Sequence, residues 1–328
     1  MLAALTAALV LQSAEAGPGL RELQFEARAL RDAGELYEAE AAFRSLIDRL
    51  ASQRPDARLD TAFALSELAL VLDELGRHAE AETLMLEAIA VQERQLGADH
   101  SDVATSLNRL GLILRRAGFA EQAIGLHRRA LAIDEADAHL DDYDRVTTLT
   151  YLGLALLASG RGGAAVDVLS RALEIEQART SAQDPDLATA LNALGRAYLT
   201  AGDPDRAAAL HGQALEIDRA ARRSSLDAAM SGYLLALAQT VLGALDAAEA
   251  GLQTSYELRM QALGARHGQT RLAACALGRI RLDNDPAGAL AAARGGMKAG
   301  AGFMVAEAPG GCAETLAEAA WRVAQDRR

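Results

Sequence analysis

The side chains able to act as ligands, nucleophiles or proton carriers are scattered along this chain without forming a reaction centre. The six histidines, His78, His100, His127, His139, His211 and His267, include no HExxH pair and no other close metal-binding spacing. His127 and His211 share one register, 84 residues apart. In stacked helices that advance about 10 Å per layer, two layers would separate them by about 20 Å, too far to share an ion. Half-buried packing is the role expected of both. Asp134-Glu135-Ala136-Asp137 and Asp141-Asp142-Tyr143-Asp144 offer oxygen ligands of the calcium type. They lack the central glycine and closing Glu of an EF-hand loop, so a solvated acidic linker is expected. Ser, His and Asp occur with no GxSxG elbow, and no cysteine–histidine constellation can be named. Cys275 and Cys312 are too few for a zinc cage or a disulfide framework. Two thiols are expected, with a single bridge in an oxidising compartment as the alternative. The chain therefore reads as a non-enzyme with no cofactor and no metal.

The elements that carry these residues repeat. Gly34, Gly76, Gly118, Gly160 and Gly202 fall 42 residues apart; Gly243 follows 41 later, and Asn284 another 41 on. Glycine, or asparagine in its place, ends a helix where the backbone must turn left-handed. On either side of each turn the apolar residues recur at helical spacing. In the fifth unit Leu191, Leu194, Ala197 and Tyr198 form one stripe before Gly202, and Ala207, Leu210, Ala214 and Leu215 form the returning one. The third unit repeats this with Leu107, Leu110, Gly111, Leu114 and then Ala123 and Ala130. The second does so with Leu65, Leu68, Ala69, Leu72 and then Ala81 and Ala88. Ala69, Gly111, Gly153 and Gly195 stand seven before the turn, where small residues let paired helices approach. A period of this length denotes a solenoid whose units bury their apolar faces against their neighbours.

Composition agrees. Aromatics are 4% and prolines number 6 in 328 residues, which favours helix over sheet. A net charge of -12 sets the whole-molecule field against nucleic acid and anionic membranes. Length alone suggests more than one domain, yet a repeat array grows along one axis, so one continuous array is the reading.

These residues resemble the tetratricopeptide repeat family, in the 42-residue variety found in kinesin light chains, over roughly residues 20–296. The connector from Leu96 to Ala104 is similar to that variety's linker, with Ser101 where proline is usual, and Gln183-Asp184-Pro185-Asp186 is a looser copy. His100 and Asp102 are expected to cap the next helix. The first unit departs at Glu26, and the seventh is shortened near Asp283-Asn284-Asp285. The resemblance implies an all-α, right-handed superhelical solenoid of about seven helix-turn-helix units, with first helices on the concave wall.

Carried onto this sequence, the groove positions are Ser66, Leu70, Asn108, Leu112, Thr150, Leu154, Asn192, Arg196 and Tyr233. The resemblance implies that Asn108 and Asn192 clamp an extended backbone and that Leu70, Leu112 and Leu154 supply apolar contact. Arg21, Arg28, Arg31, Arg109 and Arg115 fall on the same wall in an otherwise acidic protein and point to an acidic peptide or a terminal carboxylate. A non-catalytic protein- or peptide-binding scaffold is the function expected. The alternative is a regulatory subunit or peptide sensor for a separately encoded enzyme or transcription factor.

Residues 1–16 form an apolar stretch ending in Ala14-Glu15-Ala16, like a secretory leader without its usual basic start. Export to the periplasm or medium is one expectation, a cytoplasmic adaptor the other. The apolar run is too short to span a bilayer. Residues 17–300 are assigned to the repeat array. Residues 301–328 are assigned to a glycine-rich linker and a capping helix pinned by Trp321; the glycines there match no GxxxxGK[ST] loop.

Overall fold

Each unit of the period folds as two helices because its two apolar stripes, separated by one glycine, can cover each other only by antiparallel pairing. The computed structural model describes residues 19–282 except 55, 138, 139 and 222–224. Among these residues there are thirteen helices and no strand. The helices are α1 (Leu20–Asp32), α2 (Leu36–Gln53), α3 (Arg58–Glu74), α4 (His78–Leu96), α5 (Ser101–Arg116), α6 (Ala120–Ala136), α7 (Asp142–Ala158), α8 (Gly162–Arg179), α9 (Pro185–Ala201), α10 (Pro204–Ala220), α11 (Ser225–Val241), α12 (Leu245–Leu263) and α13 (Gly268–Arg281). The chain is an all-α repeat solenoid. It divides into two compact units at Ser159 and Gly160.

The turn glycines Gly34, Gly76, Gly118, Gly160, Gly202 and Gly243 all have φ between 75° and 91°. In five of the turns the amide after the glycine returns to the carbonyl five residues back, as in Arg77 N to Leu72 O at 2.8 Å. This bond satisfies a carbonyl that the helix end would otherwise leave unpaired. Side chains fix the opposite ends. His100 Nδ1 accepts from Asp102 N at 3.1 Å, as the connector implied, and His267 does the same for Gln269 N at 3.3 Å. Asp141 and Asp184 cap α7 and α9 in the same way.

In the first unit, α1, α3, α5 and α7 lie side by side while α2, α4 and α6 pack between and behind them. In the second, α9 and α11 touch each other and pair with α10 and α12. The core is made by the small and branched residues of the stripes: Ala81, Ala123, Ala165 and Ala207 are fully buried, as are Met85, Leu169 and Leu252.

Three expectations need correction. Asp134 does not belong to a solvated linker: it lies in α6 and is buried. His127 and His211 are fully rather than half buried. Cys275 is disulfide-bonded rather than a thiol; the only other cysteine, Cys312, is outside the described residues. The leader segment, the glycine-rich stretch, the Asp283–Asp285 region and the capping helix with Trp321 also fall outside them. No helix among the described residues is long and apolar enough to cross a membrane.

Candidate functional site

The first-helix wall begins with charge. In the first unit α1, α3 and α5 bring Arg31, Glu67 and Arg109 together. Arg31 Nη1 donates to Glu67 Oε2, and Arg109 Nη1 donates to Glu67 Oε1 at 3.0 Å and to Ser66 Oγ at 3.4 Å. The Glu67 side chain is 2% exposed, whereas Arg31 and Arg109 retain 18% and 29%. Two partly open guanidinium groups thus lean on one enclosed carboxylate. Arg31 also bonds Asp32 at 2.9 Å. Beside them Arg28 is exposed, its guanidinium 5.7 Å from the centre of the Phe63 ring. Deeper in the same unit, the enclosed Asp73 is held by His78 Nδ1 at 2.7 Å and by Arg116 Nη1.

Asn108 and Asn192, implied to clamp a partner's backbone, are occupied inside the repeats. His127 Nδ1 lies 2.8 Å from Asn108 Oδ1, Asn108 Nδ2 donates to Thr148 Oγ1 at 2.6 Å, and Thr148 Oγ1 donates to Asp134 Oδ2 at 2.6 Å. The second unit repeats the relay. His211 Nδ1 lies 2.8 Å from Asn192 Oδ1, Asn192 Nδ2 donates to Ser231 Oγ at 2.7 Å, and Ser231 Oγ donates to Asp218 Oδ2 at 2.5 Å. Each asparagine gives its N–H to a hydroxyl and must use its oxygen as acceptor, so each histidine carries its proton on Nδ1. Each amide thus has its oxygen and one N–H engaged in linking a second helix to the next first helix.

Burial, helped by the charge of Arg115, lowers the His127 pKa to about 4; burial and Arg196 do the same for His211. Both rings are therefore neutral at physiological pH. The Asp134 pKa is raised by burial, against the stabilising bond from Thr148. The other ring nitrogen, Nε2, is buried with no hydrogen-bond partner. It faces glycine: a Cβ built on Gly111 would lie 2.5 Å from His127 Cε1, and one on Gly195 2.6 Å from His211 Cε1. The small residues at these two places make room for imidazole rings, not simply for helix backbones.

The remaining wall residues are dispersed. Leu70, Leu112, Thr150 and Leu154 in the first unit and Arg196 in the second are half-buried, as is Arg115, while Arg21 is exposed. Ser66 is buried and donates to Phe63 O at 3.4 Å. Tyr233 is engaged from below: the buried Arg259 guanidinium lies 4.8 Å from its ring centre and donates to Gln269 O at 2.9 Å. Burial keeps the Arg259 pKa below the ordinary arginine value. Sequence reasoning missed Glu67, Asp73, Thr148, Ser231 and Arg259. The signal for Thr148 and Ser231 lay in register, since hydroxyl residues recur after each relay asparagine.

Glu176, Asp184 and Asp186 bring three carboxylates within metal-binding reach. Arg179 already stands among them, donating to Glu176 Oε1 at 2.8 Å and lying 3.7 Å from Asp186 Oδ2. Its guanidinium offsets part of the charge of this cluster.

The tetratricopeptide repeat model matches residues 60–136 and 144–220, that is, α3 to α6 and α7 to α10. These two blocks are tetratricopeptide repeats. No curated protein matches the sequence. Among solved structures, the repeats are similar to the nearly identical TPR-like repeats of a Podosopora anserina kinesin light chain, with 23% identity and a TM-score of 0.54 over 60% of this chain and 94% of that one. They are also similar to BtubC (BKLC) from P. vanneervenii, with 23% identity and a TM-score of 0.58 over 69% and 91%. Aspartyl phosphate phosphatase F from Bacillus subtilis has 13% identity and a TM-score of 0.66 over 88% and 73%. At such identities the likeness is one of fold. Tetratricopeptide repeats generally serve protein interaction, and the coarse role of this chain follows from that.

Proposed function

We propose that this chain is a non-catalytic scaffold whose first-helix surfaces hold an acidic segment of a partner polypeptide. The observation that carries this reading is the pairing of Arg31 and Arg109 on the single enclosed carboxylate of Glu67. A guanidinium has five N–H donors, so each arginine keeps donors for an incoming carboxylate while Glu67 holds it in place. Arg28 extends the basic surface, with Arg21 and Arg115 as further contacts. Half-buried Leu70, Leu112 and Leu154 supply apolar area beside Thr150, and Arg196 and Tyr233 play these parts in the second unit. The backbone clamp assigned to Asn108 and Asn192 is withdrawn from this reading.

The test is a peptide-display selection on the immobilised full chain, followed by measurement of selected peptides against R28E/R196E. Acidic peptides should be enriched and should bind the double variant at least about tenfold more weakly, with the thermal midpoint kept. Enrichment without acidic character, or equal affinity for the variant, ends the proposal. A second reading uses the same surface to sense or regulate a separately encoded enzyme or transcription factor, and draws on the fold likeness to aspartyl phosphate phosphatase F. Copurification with a catalytic partner would favour it. Residues 1–16 are proposed as a cleaved leader, which the mass of the mature N-terminus tests.

A further inference from the structure

A second surface, made by other residues than the wall positions, differs between two copies of the same place in the repeat. Where α8 ends and α9 and α10 pack, the second unit has an open crevice of about 400 Å³ whose lining includes Gln177, Gln183, Leu187, Leu191, Gln213 and Ile217, together with the charged Glu216. Its floor is aliphatic: Leu187 and Leu191 are buried and Ile217 half-buried, whereas the three glutamines are exposed. None of these is a wall residue.

Subtracting 84 from these numbers gives the same place in the first unit. The floor there is Val103, Leu107 and Ile133, almost the same chemistry. The facing pair is different: Glu93 stands for Gln177 and Arg129 for Gln213. Arg129 Nη2 reaches Glu93 Oε1 at 2.6 Å and Ala98 O at 3.3 Å, so an ion pair is strapped across the first place. Gln177 and Gln213 cannot form such a pair. The second copy has lost the strap and kept the apolar floor.

We propose that the crevice between α8, α9 and α10 takes an aliphatic side chain of an uncharged partner segment, whose flanking peptide groups pair with the amides of Gln177, Gln183 and Gln213. The occupant follows from the lining. An aliphatic floor favours a leucine-sized group released from water. A side-chain amide both donates and accepts, which matches a peptide group and gives no preference to charge. Glu216 in the lining disfavours an acidic occupant, so this site and the arginine wall select different segments. A volume of this size suits a few residues rather than a helix.

The experiment is an NMR titration of the full chain with acetyl-Gly-Leu-Gly-amide, and with acetyl-Gly-Glu-Gly-amide as the charged comparison. Saturable shifts are expected from the leucine peptide at the Gln177 and Gln213 side-chain amides and at the methyl groups of Leu187, Leu191 and Ile217. The acidic peptide should bind more weakly. Q177E/Q213R installs the strap that the first unit already carries, so it should fold normally and weaken the leucine peptide at least about tenfold. Q213A, which removes an amide without filling the crevice, should weaken it less. R28E/R196E should leave the titration unchanged, which separates this site from the wall. The proposal is overturned if the leucine peptide gives no saturable shift, if it binds Q177E/Q213R as well as the natural chain, or if the acidic peptide binds equally.

Discussion

At the scale of the residue, the two buried histidines set how this protein responds to its environment. Each imidazole is held neutral by burial and sits over a glycine that has no side chain to displace it. Gly111→Ala would place a methyl group inside the van der Waals shell of His127, and the ring, tied to Asn108, cannot withdraw without breaking its bond. A loss of roughly 1–3 kcal/mol is expected, the usual cost of overfilling a core, measurable by urea denaturation. At Gly125, where a Cβ would meet nothing within 4 Å, the same change should be nearly neutral or slightly stabilising.

The histidines also fix the sign of the pH dependence. Unfolded, each titrates near 6.5, and folded near 4. The unfolded chain therefore binds more protons between these values. The stability contributed by the neutral rings is complete above about pH 6.5 and is lost as the pH falls towards about 4, on the order of 3 kcal/mol for each. Asp134, with its pKa raised, works in the opposite direction, since protonation favours its buried state. Denaturant midpoints at pH 7.5 and 5 should show the net fall, and His211→Met should reduce it while leaving the share of His127.

At the scale of the element, the polar groups inside the seams act as cross-pins. Glu67 joins α3 to both α1 and α5 through Arg31 and Arg109. Glu67→Ala removes the shared acceptor and leaves two guanidinium groups facing each other, so a cost of about 2 kcal/mol is expected, below that of a fully buried pair because both arginines keep some solvent. Arg109→Ala should cost less, because Arg31 still answers the charge of Glu67. Equal losses from the two variants, read from thermal melts, would show that the acid is not the shared pin. The relay from second helix to next first helix has the same function, built from an imidazole, an amide and a hydroxyl that end on an aspartate. Deleting one member strands the others without water.

At the scale of the whole molecule, the net charge of -12 opposes the approach of an acidic partner that the local arginines would hold. The two effects separate by distance, because screening at physiological salt has a range of about 8 Å. Raising salt should accelerate dissociation of a selected acidic peptide, as the arginine contacts weaken. The association rate should not fall, because long-range repulsion is screened as well. Stopped-flow binding at several ionic strengths checks both halves; an association rate that drops steeply with salt would show that the field at the binding surface is attractive overall.

The sequence by itself determined the helix pairs, their period, the left-handed turns and the cap at His100. These follow from the order of apolar residues and from backbone freedom at glycine, which are local properties of the chain. The tertiary structure alone decided what the polar residues of the first helices face. Asn108 and Asn192 sit at positions that border both wall and seam, and their partners His127, Thr148, His211 and Ser231 come from other helices, 19 to 40 residues away. A turn of one residue about a helix axis moves a side chain by about 100°. Periodicity places such a residue near the boundary, and only the packing of three helices says on which side its amide is satisfied. The same reason hid Asp134 from its sequence: an acid in a charged stretch reads as solvated until a hydroxyl from the next helix closes over it.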